Sequence, residues 1–137
     1  MSTLRVPLVL LIGLMLIYDG YCIAEKATSS AFLQSGVASW YGREEQGRLT
    51  SDGERFNRHD FTAASRHLPF NTIVRVTNQD NGRSVQVRIN DRGPFVKGRI
   101  LDLSEAAANT LDMKKSGVAP VKIELVEPAS SEAVTSP

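Results

Sequence analysis

Two alternating segments on either side of a reversal constrain this chain more than any other feature. Thr72-Ile73-Val74-Arg75-Val76-Thr77 and Ser84-Val85-Gln86-Val87-Arg88-Ile89 both place apolar side chains at every second position. Side chains of a strand alternate between its faces, so each segment has one face to bury. Between them, Asn78-Gln79-Asp80-Asn81-Gly82-Arg83 contains an Asn-Gly pair, which supplies the positive φ angles a tight reversal needs. The spacing predicts an antiparallel β-hairpin.

Four more short segments read as strands: residues 36–41, 61–65, 99–103 and 121–126. A loop rich in Gly, Ser and charge follows the first of these, and loops of that length tend to carry function. Ser104 is placed to N-cap a helix running to about Leu111, with Glu105 near its positive end and Ala106-Ala107-Ala108 supplying propensity. Six short strands with one or two short helices make a mainly β fold, and a small barrel suits them because closure leaves no open sheet edge.

The ends read differently. Residues 1–24 carry one cation, Arg5, then an apolar stretch from Val6 to Tyr18, then Asp19-Gly20, which is the layout of a secretory signal. That stretch falls short of the roughly 20 residues that cross a bilayer as a helix, so no membrane anchor is expected after cleavage. Cys22 is the only cysteine, and Tyr21 and Asp19 before it do not suit lipid attachment. The mature chain is then without cysteine, which excludes disulfides and thiolate chemistry. Residues 25–35 and 128–137 read as disordered ends, leaving one domain at 36–127. A formal net charge of +1 gives no field to recruit nucleic acid. His59 and His67 form no tight pair, so neither a metal site nor a cofactor is expected.

Two further segments, Thr50-Ser51-Asp52-Gly53-Glu54-Arg55-Phe56 and Arg88-Ile89-Asn90-Asp91-Arg92-Gly93-Pro94-Phe95, each set an acidic residue in a turn beside an aromatic ring. Two carboxyls in one cleft can cut a sugar chain. Together with Gly36-Val37-Ala38-Ser39-Trp40-Tyr41-Gly42, these segments resemble the catalytic domain of the rare lipoprotein A (RlpA) family, bacterial lytic transglycosylases built on a double-psi β-barrel. The resemblance implies that Asp91 is the catalytic acid and Glu54 a second acidic residue that assists or positions. Relatives carry a pattern like Thr-Ala-Ala-His-x-x-Leu-Pro, whereas this chain reads Thr62-Ala63-Ala64-Ser65-Arg66-His67-Leu68-Pro69. Ser65 thus stands where the family has histidine. A serine hydroxyl can bond a sugar but holds no proton near neutral pH, and His67 shares its face only if the strand continues.

Trp40, Tyr41, Phe56 and Phe95 offer flat rings for sugar faces, and adjacent Trp40 and Tyr41 point to opposite sides, so one packs inward while the other meets ligand. Arg92 either binds a muramic carboxylate or bridges to Asp102, which reads as a structural acceptor. The expected function is endolytic cleavage of the β-1,4 bond between N-acetylmuramic acid and N-acetylglucosamine, with 1,6-anhydro ends and a preference for glycan strands lacking stem peptides. The expected enzyme is a periplasmic or secreted monomer whose partners are peptidoglycan strands and, in addition, division proteins. The alternative is a noncatalytic, expansin-like glycan-binding or division-associated module.

Overall fold

The computed structural model describes residues 31–129. Its elements are β1 (Ala31–Tyr41), β2 (Thr62–Ala64), β3 (Ile73–Asn78), β4 (Ser84–Asp91), β5 (Arg99–Ser104), α1 (Glu105–Thr110) and β6 (Val118–Glu127), with a 3-10 turn at Arg43–Glu45 after β1. The expected signal at residues 1–24 with Cys22, the segment 25–30 and the tail from residue 130 lie outside the described residues.

The strands close into a barrel in the order β1-β5-β2-β4-β3-β6. The β1/β5 and β2/β4 seams are parallel and the others antiparallel. This is the six-stranded barrel that the patterning predicts, and its interleaved parallel seams fit the double-psi arrangement. The hairpin forms from β3 and β4, with Val74 opposite Val87 and Val76 opposite Val85. Its reversal is wider than a two-residue turn. Only Gly82 takes a positive φ there, 73°, and its N–H donates to the Asn78 carbonyl. Asn81 instead uses its side chain, donating to the Leu111 carbonyl and accepting from the Arg83 N–H.

The expectation of disorder over residues 25–35 does not hold at 31–35, because β1 begins at Ala31 rather than Gly36. Side chains 31–35 are exposed, but their backbone pairs with β6 from Ala31↔Leu125 to Ser35↔Lys122. A ladder needs only backbone donors and acceptors, so five successive exposed side chains with no buried alternate face hid the strand.

Inward-facing residues of the hairpin (Val74, Val76, Val87, Ile89) meet Leu101 and Leu103 of β5 and Val121 and Ile123 of β6 in one core. Burying each such side chain stabilises the fold by about 1.5–3 kcal/mol. Ala107 and Ala108 of α1 press into the same core. The helix starts where its cap dictates: the Ser104 hydroxyl accepts from the Ala107 N–H and donates to the Asp60 carbonyl at 2.6 Å.

The seam between β2 and β4 is irregular at one point. Ala63 pairs with Ile89 but Ala64 pairs with Asp91, so Asn90 is an extra residue. Strict alternation would send Asp91 to the core side after Val87 and Ile89. The bulge instead sets it beside Ala64 on the outer face.

Leu103→Ala is expected to lower unfolding free energy by about 2–5 kcal/mol, read by urea denaturation. Phe32→Ala, at a residue 63% exposed, is expected to change it by less than about 0.5 kcal/mol.

Candidate functional site

Four residues on four adjacent strands form a row across the outer face. Ser39 pairs with Asp102, Asp102 with Ala64, and Ala64 with Asp91. Directly paired residues share a face, so two carboxyls flank one small methyl group. Over this row the segment between β1 and β2 doubles back as a miniature hairpin, with Leu49 bridged to Arg55 and the Phe56 N–H on the Arg48 carbonyl at 2.8 Å. Phe56 anchors it by stacking on Tyr41, ring centroids 4.6 Å apart and planes inclined by 28°. Between strands and loop lies a cleft of about 290 Å³. Tyr41, Ala64, Asp91 and Asp102 line its strand side, and Arg48 and Leu49 its loop side.

Asp91 meets the tip of that loop. Its Oδ1 accepts from the Ser51 N–H at 3.0 Å, the Ser51 hydroxyl at 2.7 Å and the Arg92 N–H at 2.8 Å. Among the described residues no donor reaches Oδ2. The turn after Asp91 depends on Gly93, whose φ of 132° disfavours any residue with a Cβ. Asp102 accepts the Ser39 hydroxyl at 3.1 Å. Burial pushes its carboxyl above the ordinary aspartate range; Ser39 and Arg99 oppose the shift, and Glu45 and Asp91 add to it. Tyr41 is raised further by burial, then by Asp91 and Asp102, so its phenol keeps its proton. That hydroxyl is buried and has no partner among the described residues.

Glu54 lies outside the cleft lining. Its Oε1 accepts from Arg88 Nη2 at 2.7 Å and Asn90 Nδ2 at 2.6 Å, which places it beside β4 and ties the loop to that strand. The Thr50 hydroxyl and the Glu54 N–H both donate to Asp52 Oδ1 and close the turn between them. Loop and strand are thus pinned twice, once through Ser51 on Asp91 and once through Glu54 on Asn90.

Trp40 packs against the core and donates its indole N–H to the Lys114 carbonyl at 3.3 Å, while Tyr41 lines the cleft. Arg92 makes no bridge to Asp102: its guanidinium donates to the Ser65 and Leu68 carbonyls and lies 3.8 Å above the Phe70 ring centroid. Ser65 is buried, and its hydroxyl accepts from the His67 and Leu68 amides. β2 ends at Ala64, so two-residue alternation does not carry to His67. Ser65 and His67 line a separate groove of about 200 Å³ with Leu33 and Ile100. Phe95 is 81% exposed and outside the cleft wall. Asp102, read from the sequence as a structural acceptor, accepts the Ser39 hydroxyl and also lines the cleft; a single polar position between Leu101 and Leu103 gives no sign of that second placement.

A family model described as lytic transglycolase matches residues 33–123. An endolytic peptidoglycan transglycosylase RlpA of Campylobacter jejuni is 54% identical over 96 residues, which is 70% of this chain and 35% of that protein. A probable endolytic peptidoglycan transglycosylase RlpA of Nostoc sp. is 59% identical over 102 residues, 73% of this chain and 28% of that protein. The chain spans about a third of the length of these relatives. Among solved structures, an apo expansin of Clavibacter michiganensis superposes with a TM-score of 0.55 at 21% identity, over 70% of this chain and 52% of that one. Streptomyces papain inhibitor gives 0.56 at 21% identity, over 70% and 97%. These two are likenesses of fold.

Tyr41→Phe removes an unpartnered buried hydroxyl and is expected to raise unfolding free energy by about 1 kcal/mol in urea denaturation. The raised Asp102 carboxyl links stability to pH. Above the ordinary aspartate range the folded chain still holds a proton that the unfolded chain has released. Stability therefore falls as pH rises from that range through the raised folded value, and stays lower above it. Asp102→Asn is expected to abolish this dependence and to unfold at pH 7 at the same urea concentration as the parent chain or a higher one.

Proposed function

The chain belongs to the lytic transglycolase family, matched over residues 33–123, and from that membership we propose that it is an endolytic lytic transglycosylase of peptidoglycan. Its bond is the β-1,4 linkage between N-acetylmuramic acid and N-acetylglucosamine. In that reaction the leaving oxygen gains a proton, the muramic C6 hydroxyl loses one, and O6 attacks C1 to leave a 1,6-anhydro end. No water is consumed. The chemistry needs proton transfer by positioned carboxyls.

The observation that carries the reading is Asp91, turned by the Asn90 bulge out of the core and into a cleft with a second carboxyl on its floor. Glu54 acts through the loop: by holding Arg88 and Asn90 it positions the segment whose Ser51 fixes Asp91. The Tyr41 ring, stacked on Phe56, forms part of the cleft wall. Glycan strands without stem peptides are the preferred substrate by family resemblance. No helix among the described residues is long and apolar enough to cross a membrane. On this reading the chain acts as a monomer, exported to the periplasm or beyond it, with division proteins as neighbours.

Ser65 favours a second reading, a noncatalytic glycan-binding module. Its hydroxyl is committed to two backbone amides at a position where family resemblance expects an imidazole. Under that reading Asp91→Asn leaves wall-related function untouched and Tyr41→Ala abolishes it.

Incubation of the purified chain with peptide-free glycan strands is expected to release fragments with 1,6-anhydro ends, read by mass spectrometry. Asp91→Asn is expected to lower their yield at least about 10²-fold. Intact strands after treatment with the parent chain, under conditions where a relative cuts them, would refute the enzyme reading.

A further inference from the structure

The cleft holds two aspartates that differ in surroundings, and on the transglycosylase reading such a difference divides the labour between them. We propose that Asp102 is the proton donor to the leaving oxygen and Asp91 the acceptor of the C6 proton, an acid and base pair seated on either side of the Ala64 methyl.

Three observations carry this. The first is register: Asp102 and Asp91 both pair with Ala64, one from β5 and the other from β4. Neighbouring strands lie about 4.8 Å apart, so the two backbones stand roughly 10 Å apart with only a methyl group between them. Carboxyls of sugar-cleaving pairs lie roughly 5–9.5 Å apart, a span two aspartates on such backbones can reach. The second is the cavity, whose wall includes Asp91, Asp102 and Ala64 together. The third is the division of hydrogen bonds. Asp91 takes two backbone N–H groups and one hydroxyl on Oδ1, all donors, which suits an acceptor. Asp102 takes one hydroxyl, from Ser39.

The groups facing Asp102 come from several elements: Ser39 and Tyr41 of β1, Glu45 of the 3-10 turn, Arg99 of its own strand and Asp91 of β4. Burial is the largest influence and favours the protonated acid, as do Glu45 and Asp91, while Ser39 and Arg99 favour the anion. The steps balance. The Asp102 proton passes to the glycosidic oxygen as the C1–O bond breaks, and N-acetylglucosamine leaves with a free 4-hydroxyl. The C6 oxygen bonds to C1, and its proton passes to Asp91. Exchange with solvent returns one proton to Asp102 and removes one from Asp91.

The test uses the purified chain on two substrates: peptide-free glycan strands, and an aryl β-glycoside of N-acetylmuramic acid, whose phenolate leaves without needing a proton. Asp102→Asn is expected to cut strands at least about 10²-fold more slowly yet to release the phenol within a few-fold of the parent rate. Asp91→Asn is expected to fail on both. Ser39→Ala is the second variant, because it removes the bond that favours the Asp102 anion. Its loss of strand cleavage at high pH is expected to move to higher pH, because the bond that lowers the Asp102 carboxyl is gone, whereas a structural role for the pair would change only the melting temperature. Strand cleavage by Asp102→Asn within twofold of the parent, or an unmoved alkaline limb in Ser39→Ala, overturns the donor assignment alone. Strands left intact by the parent chain overturn both the assignment and the reading beneath it.

Discussion

The site depends on one extra residue in one strand. If β4 paired with β2 without interruption, Asp91 would follow Val87 and Ile89 toward the core, and its carboxyl would stand in apolar surroundings, away from the cleft. The bulge at Asn90 shifts the register by one, and a shift of one exchanges the faces of a strand. Closure of the barrel fixes the rest. Because β1 bonds β5 on one side and β6 on the other, Ser39 cannot slide away from Asp102, and the row through Ala64 to Asp91 is held at both ends.

The hairpin, the six-stranded count and the capped helix were legible because their signals are local. Alternation in Thr72–Thr77 is visible within six residues, and Ser104 announces the helix three residues before the amide it accepts. What was hidden rests on pairing between distant segments. Residues 31–35 are strand only because β6 lies alongside, some ninety positions later. Asp102 reads as a polar interruption between two leucines until β2 is laid beside it and β4 beyond that. Glu54 reads as a loop acid because Arg88 and Asn90, its partners, lie in another strand.

Ser65 is committed to the local structure. At the end of β2 its hydroxyl takes up two backbone amides that would otherwise need another acceptor. Arg92 secures the same corner from the other side, with two carbonyls at its fork and the Phe70 ring beneath it. The chain leaving β2 is thereby held in place next to the cleft.

Ser51 and Asp91 together have a consequence for how this protein can change. One carboxyl both receives the covering segment and faces the space beneath it, so the roof is bolted to the floor. A drift in the length or composition of that segment is felt at once as a displaced Asp91. Neither the cover nor the floor is free to evolve without the other.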